Sequence, residues 1–372
     1  MAPRNTRESE PYPLYGTTFH VFRVSPLYNG NAPILDSLAI HARRFRDIVK
    51  GDTLRGFQIA AEIENSTSAP SSSTGAFKNC TWDLLGDEEA WTRAHAVDDE
   101  DEDDISMIAP IGIPEARGVH VQILYERITY SAILLGQARD KSSEPGFTRL
   151  PLLLVKMPAP LREAFTTYLT TTFDTHITPM HLRASLISRA LEAVLSRTAT
   201  RAATNPQTAV PKAIQIQLAF PTAAPNLRGL DIGIAQDDIL PFRAVGTAPT
   251  STSDTRTPIT GPFTAALAAY LQEHLALDLV SPAIQLAKVA FGGYALASEG
   301  KVRIAEASGD ARTVWALILG DAAPARLAKQ RERKAESARA GAGAGVGVRV
   351  GRLPTDPPPP YELHDPHRRE SA

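Results

Sequence analysis

The stretch that decides how this chain begins to fold is Pro13-Leu14-Tyr15-Gly16-Thr17-Thr18-Phe19-His20-Val21-Phe22-Arg23-Val24-Ser25-Pro26-Leu27-Tyr28. Its aromatic and β-branched residues favour a pleated, half-buried strand. Pro26 has no backbone N–H to give to a sheet, so we expect the strand to end near Ser25. The stretch contains no catalytic motif, and function is therefore expected to come from what the folded surface binds.

Composition limits the classes to which the protein can belong. The chain has 372 residues, of which 43% are hydrophobic and 22% are charged, which is enough for roughly two globular domains. Cys80 is the single cysteine, so an intramolecular disulfide framework and a cysteine-based zinc site are excluded, as suits a reducing compartment such as the nucleus or cytosol. Residues 1–10 contain no apolar signal region, and no apolar run approaches the ~20 residues of a membrane span. We therefore expect neither secretion nor membrane insertion.

The order of predicted elements indicates an α+β fold. We expect two mixed α/β halves with largely antiparallel, curved sheets, helices packed on one side, and a disordered C-terminal tail. The predicted segments are a disordered N-terminus (1–12), an N-terminal half (13–160) with a loop at 64–76 and an acidic loop at 97–107, linking helices (161–205), a C-terminal half (211–322) with a strand meander, and a disordered basic, Gly/Pro-rich tail (326–372).

Several boundaries follow from local signals. Asp36-Ser37 is a predicted cap for a helix with apolar residues at three- and four-residue steps, and Thr178-Pro179 is a predicted helix start. Predicted strands lie at 56–63, 79–85, within 118–135 as a hairpin, at 150–157, 213–220 and 229–235, and as a four-strand meander at 283–291, 294–297, 301–307 and 313–319.

Charge is unevenly distributed although the net charge is only −2. Residues 98–104 are seven consecutive acidic residues, which repel one another and favour a solvated loop. The tail carries eight Lys or Arg and two Glu between residues 326 and 352, a composition suited either to phosphate contact or to a solvated spacer. Its end contains a PPxY sequence, either a WW-domain ligand or part of a disordered Pro-rich terminus, at Pro358, Pro359, Pro360 and Tyr361.

No motif for catalysis or cofactor binding emerges. A GxSxG elbow is missing, and Gly300-Lys301 lacks the remaining residues of a phosphate loop. Asp174, His176 and His181 lie near one another in sequence but lack the spacing of a metal site. We predict no cofactor and no metal.

Five blocks together resemble the CENP-L family of fungal inner-kinetochore subunits. They are PLYGTTFHVFRVSPLY (13–28), Leu54-Arg55-Gly56, GVHVQILYERITYSAILL (118–135), LPLLLVKMPAPLREAFTTYLTTTFDT (150–175) and GGYALASEGKVRI (292–304). The resemblance spans roughly Pro13 to Leu319. The acidic run, the Gly-rich basic tail and the PPxY end do not belong to the family pattern.

The resemblance implies a non-enzymatic scaffold at the centromere in the nucleus, within the constitutive centromere-associated network. Family members pair with a CENP-N type subunit through their C-terminal sheet, and the pair presents a basic groove to DNA. An edge strand available to such a partner is predicted at Thr313, Val314, Trp315, Leu317 and Leu319, although an internal strand with Trp315 in the core fits the same pattern. Either DNA contact or solvated helix faces would explain Arg43, Arg44, Arg46, Lys50, Arg183, Arg189 and Arg197.

Two other functions stay open at the level of sequence. An α/β fold can assemble an active site from residues far apart in the chain, which would make the protein an enzyme. Alternatively, the PPxY sequence would recruit the protein to a WW-domain partner as an adaptor.

Overall fold

The computed structural model describes residues 11–30, 33–54, 74–94, 111–136, 145–204, 210–221, 229–246 and 258–323. The helices are α1 (Leu38–Leu54), α2 (Glu88–Ala94), α3 (Ala159–Phe173), α4 (Ala184–Thr204), α5 (Gln236–Val245), α6 (Pro262–Leu275) and α7 (Gly309–Ala322). The strands are β1 (Thr18–Val24), β2 (Leu27–Tyr28), β3 (Phe77–Leu85), β4 (Gly118–Tyr125), β5 (Thr129–Leu135), β6 (Phe147–Thr148), β7 (Leu152–Lys156), β8 (Ile177–Pro179), β9 (Ala213–Ala219), β10 (Gly229–Ala235), β11 (Gln285–Phe291), β12 (Tyr294–Ala297) and β13 (Lys301–Ile304).

One open sheet joins the strands of both predicted halves. Its order is β10-β9-β11-β12-β13-β1-β7-β5-β4-β3, with β8 also paired to β1 and with β2 and β6 forming a separate ribbon. The strand pairs that the structure describes are all antiparallel. The predicted α+β class is confirmed, and so are the opening strand, which ends at Val24, and the β4–β5 hairpin.

Strand β1 connects the two parts of the sheet. One side of β1 pairs with β7, from His20 opposite Val155 to Arg23 opposite Leu152. Its other side pairs first with β13 and then with β8. The backbone N–H and C=O groups of a strand point alternately to its two sides, so β1 can pair on both sides while its side chains point to the two faces of the sheet.

Two hydrophobic cores lie on opposite faces of this sheet. The first contains Phe19 and Val21 of β1 together with apolar residues of α4, α6 and α7. The second contains Val24 of β1 and apolar residues of α1 and α3. Over the N-terminal strands helices cover both faces, because Trp91 of α2 joins the first core while α1 and α3 cover the other side. The predicted one-sided packing therefore describes only the C-terminal part of the sheet.

The segment Thr313–Leu319, predicted as an edge strand, is helical and lies within α7. Ser308 caps this helix by accepting a hydrogen bond from the backbone N–H of Ala311 at 3.0 Å. The prediction was wrong because a short apolar run has no period of its own, whereas the longer segment buries residues at helical spacing. These buried residues are Ala311, Val314, Trp315, Ile318 and Ala322. Trp315 is a core residue, with 7% of its surface exposed.

Two other boundaries differ from the sequence-based prediction. Thr178-Pro179 belongs to β8, and α4 begins only at Ala184, because the preceding residues complete the free side of β1. Helix α5 was missed because Pro241 lies inside it, where proline ordinarily argues against a helix. The strand predicted at 56–63, the loops at 64–76 and 97–107, residues 1–10 and the tail at 326–372 fall wholly or largely outside the described residues.

A proline substitution distinguishes a helix from an edge strand at α7. Ala316 is exposed in the middle of the helix. We expect Ala316→Pro to lower the free energy of unfolding by about 3 kcal/mol, because proline removes a helical hydrogen bond and clashes with the preceding turn. Chemical denaturation followed by circular dichroism measures this loss.

The control for this experiment is Ala316→Ser, which should change stability by less than about 1 kcal/mol. An edge strand tolerates proline wherever its N–H faces solvent. Equal stability of the two variants would therefore contradict the helical assignment.

Candidate functional site

Helix α7 is held at its beginning by a cluster of two arginines and one aspartate. Asp310 forms ion pairs with Arg197, at 3.2 Å, and with Arg201, and both arginines lie on α4. Arg197 also donates to the backbone carbonyl of Gly309 at 2.7 Å. The aspartate side chain is only 8% exposed, so these bonds tie α7 to α4 in a partly desolvated position.

The end of α7 carries a second cluster of the same kind. Asp321 pairs with Arg23 of β1 at 2.7 Å and with Arg183, which precedes α4. The Asp321 side chain is 3% exposed. Arg183 and Arg197, two of the candidate DNA contacts, form ion pairs that hold α7, and DNA contact by either residue stays a prediction.

Loss of the buried charge at Asp321 should destabilise the fold. We expect Asp321→Asn to lower the free energy of unfolding by about 1–3 kcal/mol, because two arginines lose their ionic partner. Urea denaturation at low and high salt measures the loss. The matched control is Asp47→Asn on α1, where the carboxylate is 66% exposed and should contribute less than about 1 kcal/mol. Equal effects of the two substitutions would contradict a holding role for Asp321.

The other predicted DNA-contact residues lie on two separate surfaces. Arg43, Arg44 and Lys50 are exposed on α1, and Arg46 is half-buried beside Asp47. Arg189 is exposed on α4. Because α1 packs on the second core and α4 on the first, these residues lie on opposite faces of the sheet. The predicted set does not form one continuous basic surface.

A basic surface that the sequence did not indicate crosses the C-terminal part of the sheet. Residues directly opposite each other in neighbouring strands point to the same face. One row runs across six strands, through His20, Lys301, Ala297, Lys288, Gln217 and Asp231. The next row runs through Thr18, Arg303, Ala295, Ala290, Gln215 and Gly233.

The small and polar residues of these rows leave the face accessible. Lys288, Arg303, Gln215 and Gln217 are exposed, while their neighbours in each strand point into the first core. Lys301 pairs with Glu299 at 2.7 Å, and Asp231 lies at the outer end of its row. We call this surface, defined by His20, Lys288, Lys301 and Arg303, the basic sheet face.

His20 reports the electrostatic character of this face. Burial is the main reason that the pKa of His20 lies below its usual value, and the positive charges of Arg162 and Lys301 lower it further. Glu299 acts in the opposite direction. Burial and the neighbouring positive charges therefore both favour the neutral imidazole of His20.

Removing one of these charges should shift the titration of His20. We expect Lys301→Ala to raise the pKa of His20, because a repelling charge is lost and Glu299 is no longer paired. Proton NMR of the imidazole across the pH range measures the change. Lys78→Ala, on the distant strand β3, serves as control and should leave the pKa of His20 unchanged. A lower or unchanged pKa in the Lys301 variant would contradict the described surroundings of His20.

Strand β10 forms one end of the sheet and pairs only with β9 among the described residues. Its core-side residues Leu230, Ile232 and Ile234 are only half-buried. Such an edge presents unpaired backbone groups to which a further strand can be added. Gly233, which lies on this strand, has open space around the position of a Cβ.

An exposed apolar patch adjoins this edge. Helix α5 follows β10 directly, and its last residue, Val245, is 82% exposed. Phe242 of α5 contacts Tyr270 of α6, with ring centroids 6.2 Å apart, and Tyr270 is 47% exposed. We call Phe242, Val245 and Tyr270 the α5–α6 patch. Together with the free edge of β10, it is a surface that a protein partner can cover.

A buried carboxylate fixes α6 beneath this patch. Glu192 of α4 accepts hydrogen bonds from the backbone N–H of Thr264 at 2.7 Å and from its hydroxyl at 2.9 Å. Burial raises the pKa of Glu192, and the bonds from Thr264 partly offset that effect. Through its Oε1 atom, Glu192 satisfies a backbone N–H group at the beginning of α6.

Neither a metal-binding cluster nor a membrane-spanning helix is found among the residues that the structure describes. No three His, Cys, Asp or Glu side chains in the described ranges are grouped so that they could hold a metal ion. Within the same ranges, every helix is too short or too polar to cross a bilayer. The PPxY residues Pro358, Pro359, Pro360 and Tyr361 lie outside the described part of the chain.

These features define an α+β protein whose most distinctive surfaces are a free sheet edge and a basic sheet face. The profile of the CENP-L family, described as Centromere protein L, matches residues 13–339. Because the match covers most of the chain, the protein belongs to the CENP-L family, and the resemblance in the sequence is confirmed. It is therefore a protein of the centromere and kinetochore, and its family is associated with chromosome segregation. A search of curated proteins returns no match.

Proposed function

We propose that this protein is a non-enzymatic scaffold of the inner kinetochore that pairs with a CENP-N type subunit and contacts centromeric DNA in the nucleus. The observation that carries the proposal is the free edge of β10 beside the α5–α6 patch. Family membership makes a kinetochore partner reasonable, and the CENP-N type follows from the resemblance in the sequence.

We propose β10 as the partner-binding strand, in place of the strand predicted at Thr313–Leu319. Thr313, Val314, Trp315, Leu317 and Leu319 belong to α7 and have no strand edge to offer. Strand β10 can still bind a partner by strand addition. A partner strand paired with its free edge would also cover its half-buried aliphatic side chains. Val245 and Tyr270 add apolar area that burial would stabilise by ~25 cal/mol per Å².

Substitutions in the α5–α6 patch test the partner interface. We expect Val245→Asp combined with Tyr270→Ser to reduce recovery of the CENP-N type subunit by at least about tenfold, because a charge would be buried in the interface. Affinity purification of the tagged full-length protein from mitotic cells, followed by mass spectrometry, measures recovery.

The matched control replaces an exposed apolar residue elsewhere. Ile128 is 36% exposed in the β4–β5 turn, and Ile128→Asp should leave recovery of the partner unchanged. Circular dichroism checks that all variants are folded. Recovery of the partner at wild-type levels by the patch variant would contradict this interface, and absence of inner-kinetochore subunits from the wild-type sample would contradict the scaffold function.

DNA contact is assigned in this proposal to the basic sheet face. Its support is the cross-strand register, which places Lys301, Lys288 and Arg303 on one exposed side of the sheet. Small residues between the cations leave room for a phosphate backbone to approach. The ion-paired Arg183 and Arg197 are less suited to this role, because phosphate would have to compete with Asp321 and Asp310.

Charge reversal on the sheet face tests the DNA assignment. We expect Lys288→Glu with Arg303→Glu to weaken binding of duplex DNA and to reduce the slope of log K against log salt concentration by about 2, or about 1 for each lost phosphate contact. Fluorescence anisotropy over a range of salt concentrations measures both. The control with equal charge change is Lys78→Glu with Arg189→Glu, at exposed positions on β3 and α4. Equal losses in the two double variants would contradict a specific role for the sheet face.

A further inference from the structure

The outer side of α1 combines apolar and basic residues in a way that the functions above do not use. Leu38, His41, Phe45 and Val49 of this helix are buried against the second core. The solvent-exposed surface of the helix includes two large aliphatic residues, Ile40 at 54% and, beside the buried side, Ile48 at 38%. Single exposed aliphatic residues are ordinary, but two on one helix face form an apolar stripe.

The spacing of these residues suits contact with an elongated partner. Ile40, Arg44 and Ile48 follow one another at four-residue steps, which places them on one side of the helix. Ile40 and Ile48 are separated by ~12 Å along the axis, since each residue rises 1.5 Å. This distance corresponds to about two turns of a second helix lying alongside.

The charges that surround the stripe are mainly positive. Arg43, Arg44 and Lys50 are exposed, and no ion pair joins them to another described residue. Among the α1 side chains that the structure describes, Asp47 is the acidic one on this side, and it lies 3.8 Å from Arg46. A partner that covers this side must therefore bring carboxylates to satisfy the cations and aliphatic groups to cover the isoleucines.

Nucleic acid fits this surface less well than a peptide. Phosphate contact would satisfy Arg43, Arg44 and Lys50 but would leave Ile40 and Ile48 against a charged, hydrated backbone. The basic sheet face has small residues between its cations, whereas the α1 stripe has isoleucines on either side of Arg44.

We propose that the outer side of α1, defined by Ile40, Arg43, Arg44, Ile48 and Lys50, is a docking site for an acidic amphipathic segment of another protein. Aliphatic side chains of that segment cover Ile40 and Ile48, and its carboxylates pair with the three cations. Helix α1 packs over β3, at the end of the sheet opposite β10. The site is therefore separate from the α5–α6 patch, and two partners can bind at the same time.

A synthetic peptide is the probe for this site. It is an 18-residue fluorescein-labelled helix with leucine at three- and four-residue steps and glutamate on both flanks. A second peptide carries lysine in place of every glutamate. Binding to the full-length protein is measured by fluorescence anisotropy at several salt concentrations, and competition with unlabelled duplex DNA is measured in parallel.

The proposal predicts binding of the glutamate peptide and at least tenfold weaker binding of the lysine peptide. Ile40→Ser with Ile48→Ser should weaken binding at least about tenfold with little change in its salt dependence. Arg43→Glu with Arg44→Glu should weaken binding at least as much and flatten the salt dependence. Because all four residues are exposed, thermal unfolding should show these variants to be folded.

Matched controls separate the site from general charge and apolarity. Ile128→Ser and the pair Lys78→Glu with Arg189→Glu should bind the glutamate peptide as the wild type does. The proposal is overturned if the glutamate peptide does not bind below about 1 mM, or if the isoleucine variant binds it normally. It is also overturned if α1 binds duplex DNA in place of the peptide. In that case the variant with Arg43→Glu and Arg44→Glu would lose DNA binding, whereas the control variants would keep it.

Discussion

Backbone hydrogen bonding along both sides of β1 is the interaction on which the rest of this structure depends. The strand pairs with β7 on one side and with β13 and β8 on the other. Its side chains enter both cores, because Phe19 and Val21 point to one face and Val24 contributes to the other. Without β1 the sheet would divide into two pieces, and each core would lose part of its wall.

The distribution of helices around this sheet determines which surfaces remain available for binding. Over the N-terminal strands both faces are covered, whereas over the C-terminal strands the helices collect on the first core. The cross-strand rows containing Lys288 and Arg303 are therefore exposed. Arginines of other elements form ion pairs with Asp310 and Asp321 and so hold α7 against the first core. These arginines therefore contribute to the stability of the fold, which the sequence alone did not indicate.

The sequence predicted local elements well and long-range relations poorly, for physical reasons. Alternating apolar residues identified β4 and β9, and in β9 the apolar residues are buried while the polar residues between them are exposed. The segment Thr313–Leu319 was misassigned because seven mostly apolar residues fit a buried strand and a buried helix equally well. The wider spacing of Ala311, Val314 and Ile318 was the signal that would have identified the helix.

The surfaces were harder to predict than the elements. Arg183 is 138 positions from Asp321 in the chain, and no local pattern announces that pair. The basic sheet face depends on the register of His20 against Lys301 and of Lys288 against Ala297, which only the folded sheet reveals. By contrast, the outer side of α1 follows from helical periodicity once the helix is known.

The central place of β1 also has a consequence for biosynthesis. The strand is made long before its last partner, since roughly 150 residues separate Lys156, the end of β7, from Ile304, the end of β13. At about 5–20 residues per second, translation leaves one side of β1 incomplete for roughly 7–30 s after β7 has emerged. During that interval the nascent chain exposes an aromatic, β-branched strand edge, which is a feature that chaperones bind and that favours aggregation. Expression of the intact protein therefore depends on how well the cell protects the incomplete chain until its last strands are made.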